Sequence, residues 1–222
     1  RVTVLRGGCV TGSAVKEDMR RDKLVQMMIG REVLNTYEKN CEHCGEVVLQ
    51  LEQVSALNDM NTVGLNNVRL AVRAGEIYGI AGVSGNGQRE LAEVLAGLRP
   101  AMGGKIFFYG QDLTNKKPKE MIEAGMSGGN LQKLLLGREI AAKPKLMIVL
   151  YPVRGLDIGA IEAVHKLLLQ LKEEQTAIIL VSEELEEIAK LADRVGVMFA
   201  GQILGEFSVS EMDTEKIGAL MA

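Results

Sequence analysis

The 222-residue chain contains no tryptophan, 4% aromatic residues, two histidines, three cysteines and four prolines. Each scarcity closes a class of function. So few rings leave no set of platforms on which nucleic-acid bases could stack. A net charge of −3 gives no basic footprint for a phosphodiester backbone. No apolar run approaches the ~18 residues that a bilayer-spanning helix requires. No signal peptide opens the chain, and residue 1 is an Arg at the head of a strand-like segment, which reads as a cut within a longer protein. Three cysteines do not make a disulfide framework, and the ordinary compartment for such a chain is the reducing cytosol. Cys41-Glu42-His43-Cys44 has the look of a metal clip. A structural zinc site takes four ligands, however, and only Cys9 and His165 remain to complete one. The segment therefore reads as a polar linker with two reduced thiols, and no metal site is assigned.

What is present is ordinary for a globular protein of one or two domains, with 47% hydrophobic and 25% charged residues. An internal repeat stands out. Arg1-Val2-Thr3-Val4-Leu5-Arg6-Gly7-Gly8 matches Arg194-Val195-Gly196-Val197-Met198-Phe199-Ala200-Gly201, and Gly12, Met19, Lys23 and Met28 match Gly205, Met212, Lys216 and Met221. Eight of 29 positions are identical at a constant offset of 193, without a gap. Both copies read as two short strands, a polar turn and a short helix. A tandem duplication makes residues 1–34 the tail of a preceding copy, 35–45 a linker and 46–222 one domain; chance similarity of two hairpins is the alternative.

Within that domain, Val47–Val54 alternates enough for a strand, and Val63–Val72 alternates as a half-buried strand of an antiparallel sheet. Ile77–Ala81, Leu146–Leu150 and Ala177–Val181 are short apolar runs suited to buried strands. Lys105–Tyr109 is a further strand, and Arg194 onward a final hairpin. Helical spacing is found over Gln88–Leu98, Ser127–Ala142, Ala160–Glu174 and Glu183–Ala192. In the second of these, Leu134, Leu135, Leu136 and Ile140 form an apolar core face. Strand–helix alternation with short connections predicts an α/β fold with a P-loop NTPase-like parallel sheet core and an antiparallel β subdomain. His165 reads as a packed or surface residue in mid-helix. The acidic start Glu183, Glu184, Glu186 and Glu187 suits a helix macrodipole.

Chemistry concentrates in three places. Gly82-Val83-Ser84-Gly85-Asn86-Gly87-Gln88-Arg89 lies between a strand and a helix with the spacing of a phosphate loop, whose pattern ends in Gly-Lys-Ser/Thr. Its glycines let backbone N–H groups turn inward around phosphate oxygens. Gln88 stands where a lysine would reach the phosphates, so the charge-assisted part of that contact is lost. Arg89 stands where a hydroxyl would hold Mg²⁺; a guanidinium repels the cation but can pair with a phosphate. A plain Gly-rich strand–helix turn is the alternative. Ser127-Gly128-Gly129-Asn130-Leu131-Gln132-Lys133 opens the second predicted helix, presenting a hydroxyl and free N–H groups at its positive end. Leu150 and Tyr151 end a buried strand without an acid, ahead of Pro152-Val153-Arg154-Gly155-Leu156-Asp157.

In this order the motifs resemble the ATP-binding subunits of ABC transporters over residues 46–222. The resemblance implies that Gly82, Ser84, Gly85, Asn86, Gly87, Gln88 and Arg89 form the nucleotide-binding loop. Ser127, Gly128, Gly129 and Asn130 would be the signature offered in trans, and Gly155, Leu156 and Asp157 the D-loop. Leu150 replaces the metal-holding acid, Tyr151 the catalytic glutamate and Glu183 the switch histidine. No catalytic residue is therefore assigned, and this site is expected to hydrolyse ATP poorly or not at all. The variant forms Gly85-Asn86-Gly87-Gln88, Gly129-Asn130-Leu131-Gln132-Lys133, Arg154-Gly155-Leu156-Asp157 and Ser182-Glu183-Glu184-Leu185 resemble the second half of double-cassette importers for simple sugars, including those paired with nucleoside-binding lipoproteins of the basic-membrane-protein type.

That resemblance implies ATP as ligand with Mg²⁺ weakly held. It implies a second cassette as partner, in the same full-length chain or a homodimer. Membrane permease subunits and, indirectly, an extracellular substrate-binding protein would follow, with no nucleic acid. The place would be cytoplasmic, peripheral on the inner face of the cell membrane. Adenine would meet Leu57 rather than an aromatic ring. One departure concerns length: Gly87 and Ser127 are too close to admit the family's glutamine loop and helical subdomain. Met121-Ile122-Glu123-Ala124-Gly125-Met126 looks like the lead into that region, so a junction is expected at Met126–Ser127, either a deletion or an omitted stretch. A structural or regulatory domain that binds no nucleotide is a second reading. A soluble double-cassette ATPase of translation or repair would require basic patches and intact acids that the sequence lacks.

Overall fold

The computed structural model describes residues 1–15, 21–29, 45–130 and 143–221. The predicted linker with its Cys41–Cys44 segment, and the Leu134–Ile140 apolar face, lie outside them. The chain opens with β1 (Val2–Arg6), β2 (Cys9–Ala14) and α1 (Arg21–Ile29). Then come β3 (Val47–Leu57), β4 (Val63–Arg73), β5 (Ile77–Ala81), α2 (Gln88–Leu95), β6 (Gly103–Phe108), β7 (Gln111–Asp112), α3 (Pro118–Ala124) and β8 (Met126–Asn130). The remainder is β9 (Leu146–Leu150), α4 (Ile158–Glu173), β10 (Ala177–Ser182), α5 (Leu185–Leu191), β11 (Arg194–Phe199), β12 (Gln202–Ser208) and α6 (Thr214–Met221).

A six-stranded sheet has the order β12-β11-β5-β10-β9-β8, and only the β11–β12 pairing in it is antiparallel. A four-stranded antiparallel sheet has the order β4-β3-β6-β7. Every residue of β5 and β10 is buried, as a parallel strand covered on both faces must be. One core fills the space between the two sheets and includes Leu49, Val54, Leu70, Ile80, Leu91, Leu95 and Ile148. On the opposite face of the large sheet, Val164, Leu168 and Leu171 of α4, Ile188 and Leu191 of α5 and Ile217 of α6 pack against Ile77, Met147, Ile178 and Val197. The α/β core and antiparallel subdomain are thus those expected from the sequence.

Asp193 pins the start of β5. Its carboxylate accepts the Ile77 N–H at 2.9 Å and bonds Lys172 Nζ at 2.5 Å, while its own N–H donates to Ile77 O at 2.9 Å. It therefore ties β5, the end of α4 and the lead into β11 together through one buried carboxylate.

The two copies of the repeat share more than their sequence. Val2↔Ala14, Thr3↔Ser13 and Val4↔Gly12 in the first hairpin correspond at the same offset to Val195↔Phe207, Gly196↔Glu206 and Val197↔Gly205 in the second. The register then shifts at equivalent places, between Val4/Leu5 and between Val197/Met198. A helix follows each hairpin. In the second copy β11 also pairs with β5, whereas β1 and β2 form a sheet by themselves. Leu5 is exposed, while its counterpart Met198 is buried.

One element differs from its expected type. Ser127–Asn130 belongs to strand β8, not to the start of a helix, and β8 runs through the Met126–Ser127 junction. Local preference and tertiary context explain the change. Gly128 and Gly129 are poor helix formers, each costing about 1 kcal/mol relative to Ala. Gly125, at φ +103, ends α3 and turns the chain onto the side of β9, where Met126 pairs with Leu146 and Asn130 with Leu150. A ladder along an open parallel edge satisfies these backbone groups at once. The rest of that predicted helix, from residue 131, lies outside the described residues. Helix α3 escaped the sequence reading; Pro118 opens it and Glu120 Oε2 accepts the Lys117 N–H at 2.9 Å. Helix α2 stops before Leu98 because Gly97 turns at φ +71.

Replacing Asp193 with Ala removes a buried carboxylate and leaves half-buried Lys172 and the Ile77 N–H without their partner. The expected cost is about 3–5 kcal/mol, read as a lowered midpoint in urea unfolding. A change within error would show that β5 is held without this cluster.

Candidate phosphate-binding site

Parallel strands deliver their following loops to one edge of a sheet, where α/β proteins place ligands. Ala81 aligns with Ser182 and with Val197, Val181 with Leu150, and Leu150 with Asn130. The register thus brings Gly82, Tyr151, Glu183 and the end of β8 to the same carboxyl edge.

The Gly82–Arg89 loop is built on close approaches. A Cβ on Gly82 would lie 2.5 Å from Met198 O, and one on Gly87 2.7 Å from Gly64 O at φ +108. Only glycine fits either place. Asn86 fastens the loop to the β11–β12 turn: its Oδ1 accepts the Ala200 N–H at 3.0 Å and its carbonyl the Gly201 N–H at 2.9 Å. Its Nδ2 donates to Val83 O at 3.0 Å. Gln88 is 1% exposed, and its carboxamide lies within the loop. Gln88 Oε1 accepts the Asn86 N–H at 3.1 Å and Nε2 donates to Val83 O at 3.1 Å. An oxygen acceptor thus already meets an inward-facing amide at the amino end of α2, the arrangement that suits a phosphate oxygen.

Arg89 is committed elsewhere. Its guanidinium bonds Glu93 Oε1 at 2.7 Å and lies 3.3 Å from Asp59 Oδ2. Arg99 joins the same two acids, with Nη2 at 2.6 Å from Glu93 Oε2. The Arg99 hydrogen bond, and then the Arg89 charge, hold the Asp59 carboxyl below the usual range. The phosphate pairing open to Arg89 in the sequence is replaced here by an i,i+4 pair with Glu93 and a bridge to Asp59. Arg99 Nη1 also donates to the carbonyl of half-buried Leu57 at 2.6 Å.

Leu150 is half-buried against the core between the sheets. Tyr151 takes a left-handed backbone, φ 49, with its N–H bonded to Val181 O at 2.9 Å. Its phenol lies beside Ser84 of the loop. Burial pushes the Tyr151 pKa up, with the nearby Glu183 charge adding to the shift, so the hydroxyl stays protonated at neutral pH. Glu183 itself is exposed. Magnesium requires hard oxygen ligands beside the phosphates. The two places from which the resemblance would expect them hold Arg89, in the loop, and Leu150, at the end of β9, and neither side chain offers an oxygen. Among the described residues no three His, Cys, Asp or Glu side chains are grouped to hold a metal.

The other predicted positions have structural employment. Asp157 Oδ1 caps α4 by accepting the Ala160 N–H at 2.8 Å. Leu156 packs against the α4–α6 face of the core, and Gly155 turns at φ +75. His165 is packed rather than exposed: its Nε2 lies 3.3 Å from Glu187 Oε1, and Ser182 Oγ donates to Glu187 Oε2 at 2.6 Å. Ser127 is buried in β8, with Gly128 and Gly129 opposite Ile148 and Val149. Sequence reading missed that Tyr151 comes to lie beside Ser84, which no spacing announces. The Arg89–Glu93 pair was missed as well, although its i,i+4 spacing could have signalled it.

The ABC transporter family model matches residues 65–124. The chain is 36% identical to the glucose import ATP-binding protein TsgD13 of Haloferax volcanii, over 100% of this chain and 53% of that protein. It is 32% identical to the guanosine import ATP-binding protein NupO of Bacillus subtilis, over 100% and 57% respectively. It therefore spans little more than half the length of these relatives. The two alignments run over 291 and 290 positions for a 222-residue chain, so both relatives carry sequence without a counterpart here. A nucleotide-free ATP-binding cassette from an ABC transporter superposes with a TM-score of 0.68 at 18% identity, covering 79% of this chain and 95% of that one. The ADP conformation of another such cassette gives 0.69 at 18% identity, covering 78% and 99%.

Arg89→Ala is expected to leave the phosphate affinity of the loop unchanged, because the guanidinium is held by Asp59 and Glu93. The unfolding midpoint should also barely move, since exposed ion pairs contribute little. A marked loss of nucleotide affinity, measured by calorimetric titration, would show that Arg89 leaves its acids for the ligand.

Proposed function

The chain carries an ABC transporter ATP-binding domain, and on that premise we propose that it is the second, degenerate cassette of a double-cassette importer for simple sugars or nucleosides. It binds ATP at Gly82–Arg89 and turns it over slowly or not at all. The observation that carries this reading is the loop: its glycine geometry and inward Asn86 N–H are intact, while Gln88, Arg89, Leu150 and Tyr151 replace the groups for charge, metal and water activation. Backbone donors and a helix dipole hold phosphate without a cation. Any magnesium is weakly held, brought with the nucleotide rather than by this chain. ATP bound here would supply binding energy for closing two cassettes together. Names of relatives that specify glucose and guanosine import support the substrate class.

The matched hairpin registers, with register shifts at equivalent positions, support residues 1–34 as the tail of a preceding cassette and 46–222 as the second. The surplus positions in the alignments support a missing segment relative to these proteins, which this reading places between residues 126 and 127, where the helical subdomain would lie, as a deletion or an omitted stretch. In the proposed assembly Ser127–Asn130 serves as the signature for the partner cassette, with Gly155–Asp157 at the shared interface. That role requires the stretch to leave the side of β9, where β8 now lies. Permease subunits at the inner face of the membrane, and an extracellular substrate-binding protein beyond them, complete the proposed partners. A second reading, a structural domain that binds no nucleotide, is favoured by one observation: Gln88 already fills the loop.

ATP titrated into the chain by calorimetry should bind saturably at millimolar concentrations, with an affinity unaffected by chelating magnesium. Absence of binding at several times that concentration would establish the second reading. In a subunit with an intact partner cassette, Ser127→Ala should lower ATP hydrolysis roughly 10²-fold; an unchanged rate would remove the donated signature.

A further inference from the structure

We infer that Gln88 is a built-in competitor of the phosphate: its carboxamide holds the loop as a stand-in for a phosphate oxygen, and nucleotide binds only by displacing it. This rests on the nucleotide reading of the loop and goes beyond it, because it makes Gln88 an affinity-setting residue that acts against the ligand.

The geometry is specific. Both ends of the carboxamide are used inside the loop, Oε1 on the Asn86 N–H and Nε2 on Val83 O, each at 3.1 Å. The group lies against Gly82, where a Cβ would come within 2.6 Å of Nε2. A lysine cannot do this. It carries three donors and no acceptor, so it would bond loop carbonyls and leave the Asn86 N–H for the ligand. Glutamine carries both functions, and its acceptor takes the donor that a phosphate needs. The change from lysine therefore removes a positive charge and also adds an occupant.

A phosphate oxygen is charged and outcompetes a neutral amide oxygen for an N–H donor, so displacement proceeds, but at reduced affinity. Freeing the loop of two neutral hydrogen bonds should tighten binding on the order of 10-fold. The test is a calorimetric titration of the whole chain with ADP, comparing wild type with Gln88→Ala and Gln88→Glu. The expected result is tighter binding by Gln88→Ala and weaker binding by Gln88→Glu, whose carboxylate grips the Asn86 N–H and repels the ligand. Gln88→Met preserves the stem without either polar atom and should also tighten binding, which keeps the test valid where alanine loosens the fold. Equal or weaker binding by both apolar variants overturns the inference and makes Gln88 a ligand contact. Absence of ADP binding by wild type and all variants overturns the nucleotide reading instead, and this inference with it.

Discussion

Strand β5 is the constraint on which the rest of this structure depends. It is buried on both faces, paired in parallel with β10 on one side and β11 on the other, and fixed at its start by Asp193. A strand held so completely cannot shift in register without moving all its apolar residues. The loop that follows it therefore emerges at a defined height above the sheet, level with the ends of β9 and β10. Gly82, Tyr151 and Glu183 meet there for that reason, though they are remote in sequence. The same rigidity presses Gly87 against Gly64 and the β11–β12 turn, leaving room for no side chain.

On this fixed edge two kinds of feature have parted company. Those that belong to the backbone, the glycine conformations and the inward N–H, remain. Those that belong to side chains are changed in a consistent direction. Arg89 is absorbed by an ion-pair network with Asp59, Glu93 and Arg99. Leu150 and Tyr151 are absorbed by the core between the sheets. Each replacement has found a stabilising partner of its own. On the proposed reading, such a loop would hold an anion and be poorly equipped to activate water beside it.

Much of the fold was legible because buried parallel strands leave an unambiguous trace: Ile77–Ala81 and Leu146–Leu150 were bounded correctly from apolar runs alone. The repeat was legible as an ungapped offset, and the structure adds register shifts at equivalent points, a feature of backbone pairing that no residue encodes by itself. Strand β8 was not legible. Its glycines and serine favour neither helix nor strand strongly, and the open side of β9 decided the matter from outside the segment. In the candidate site, the loop was visible as a spacing of glycines, and the loss of acids as plain substitutions. The two hydrogen bonds of Gln88 were hidden, because they depend on how tightly the loop curls around its own side chain.

The most direct test of the account is to follow backbone amide chemical shifts while ADP is added to the chain. The account predicts saturable shifts concentrated at Gly85–Gln88, with smaller ones at Ala200 and Gly201, whose N–H groups bond Asn86. Saturable shifts that leave Gly85–Gln88 untouched, or no shifts at millimolar ADP, would contradict it.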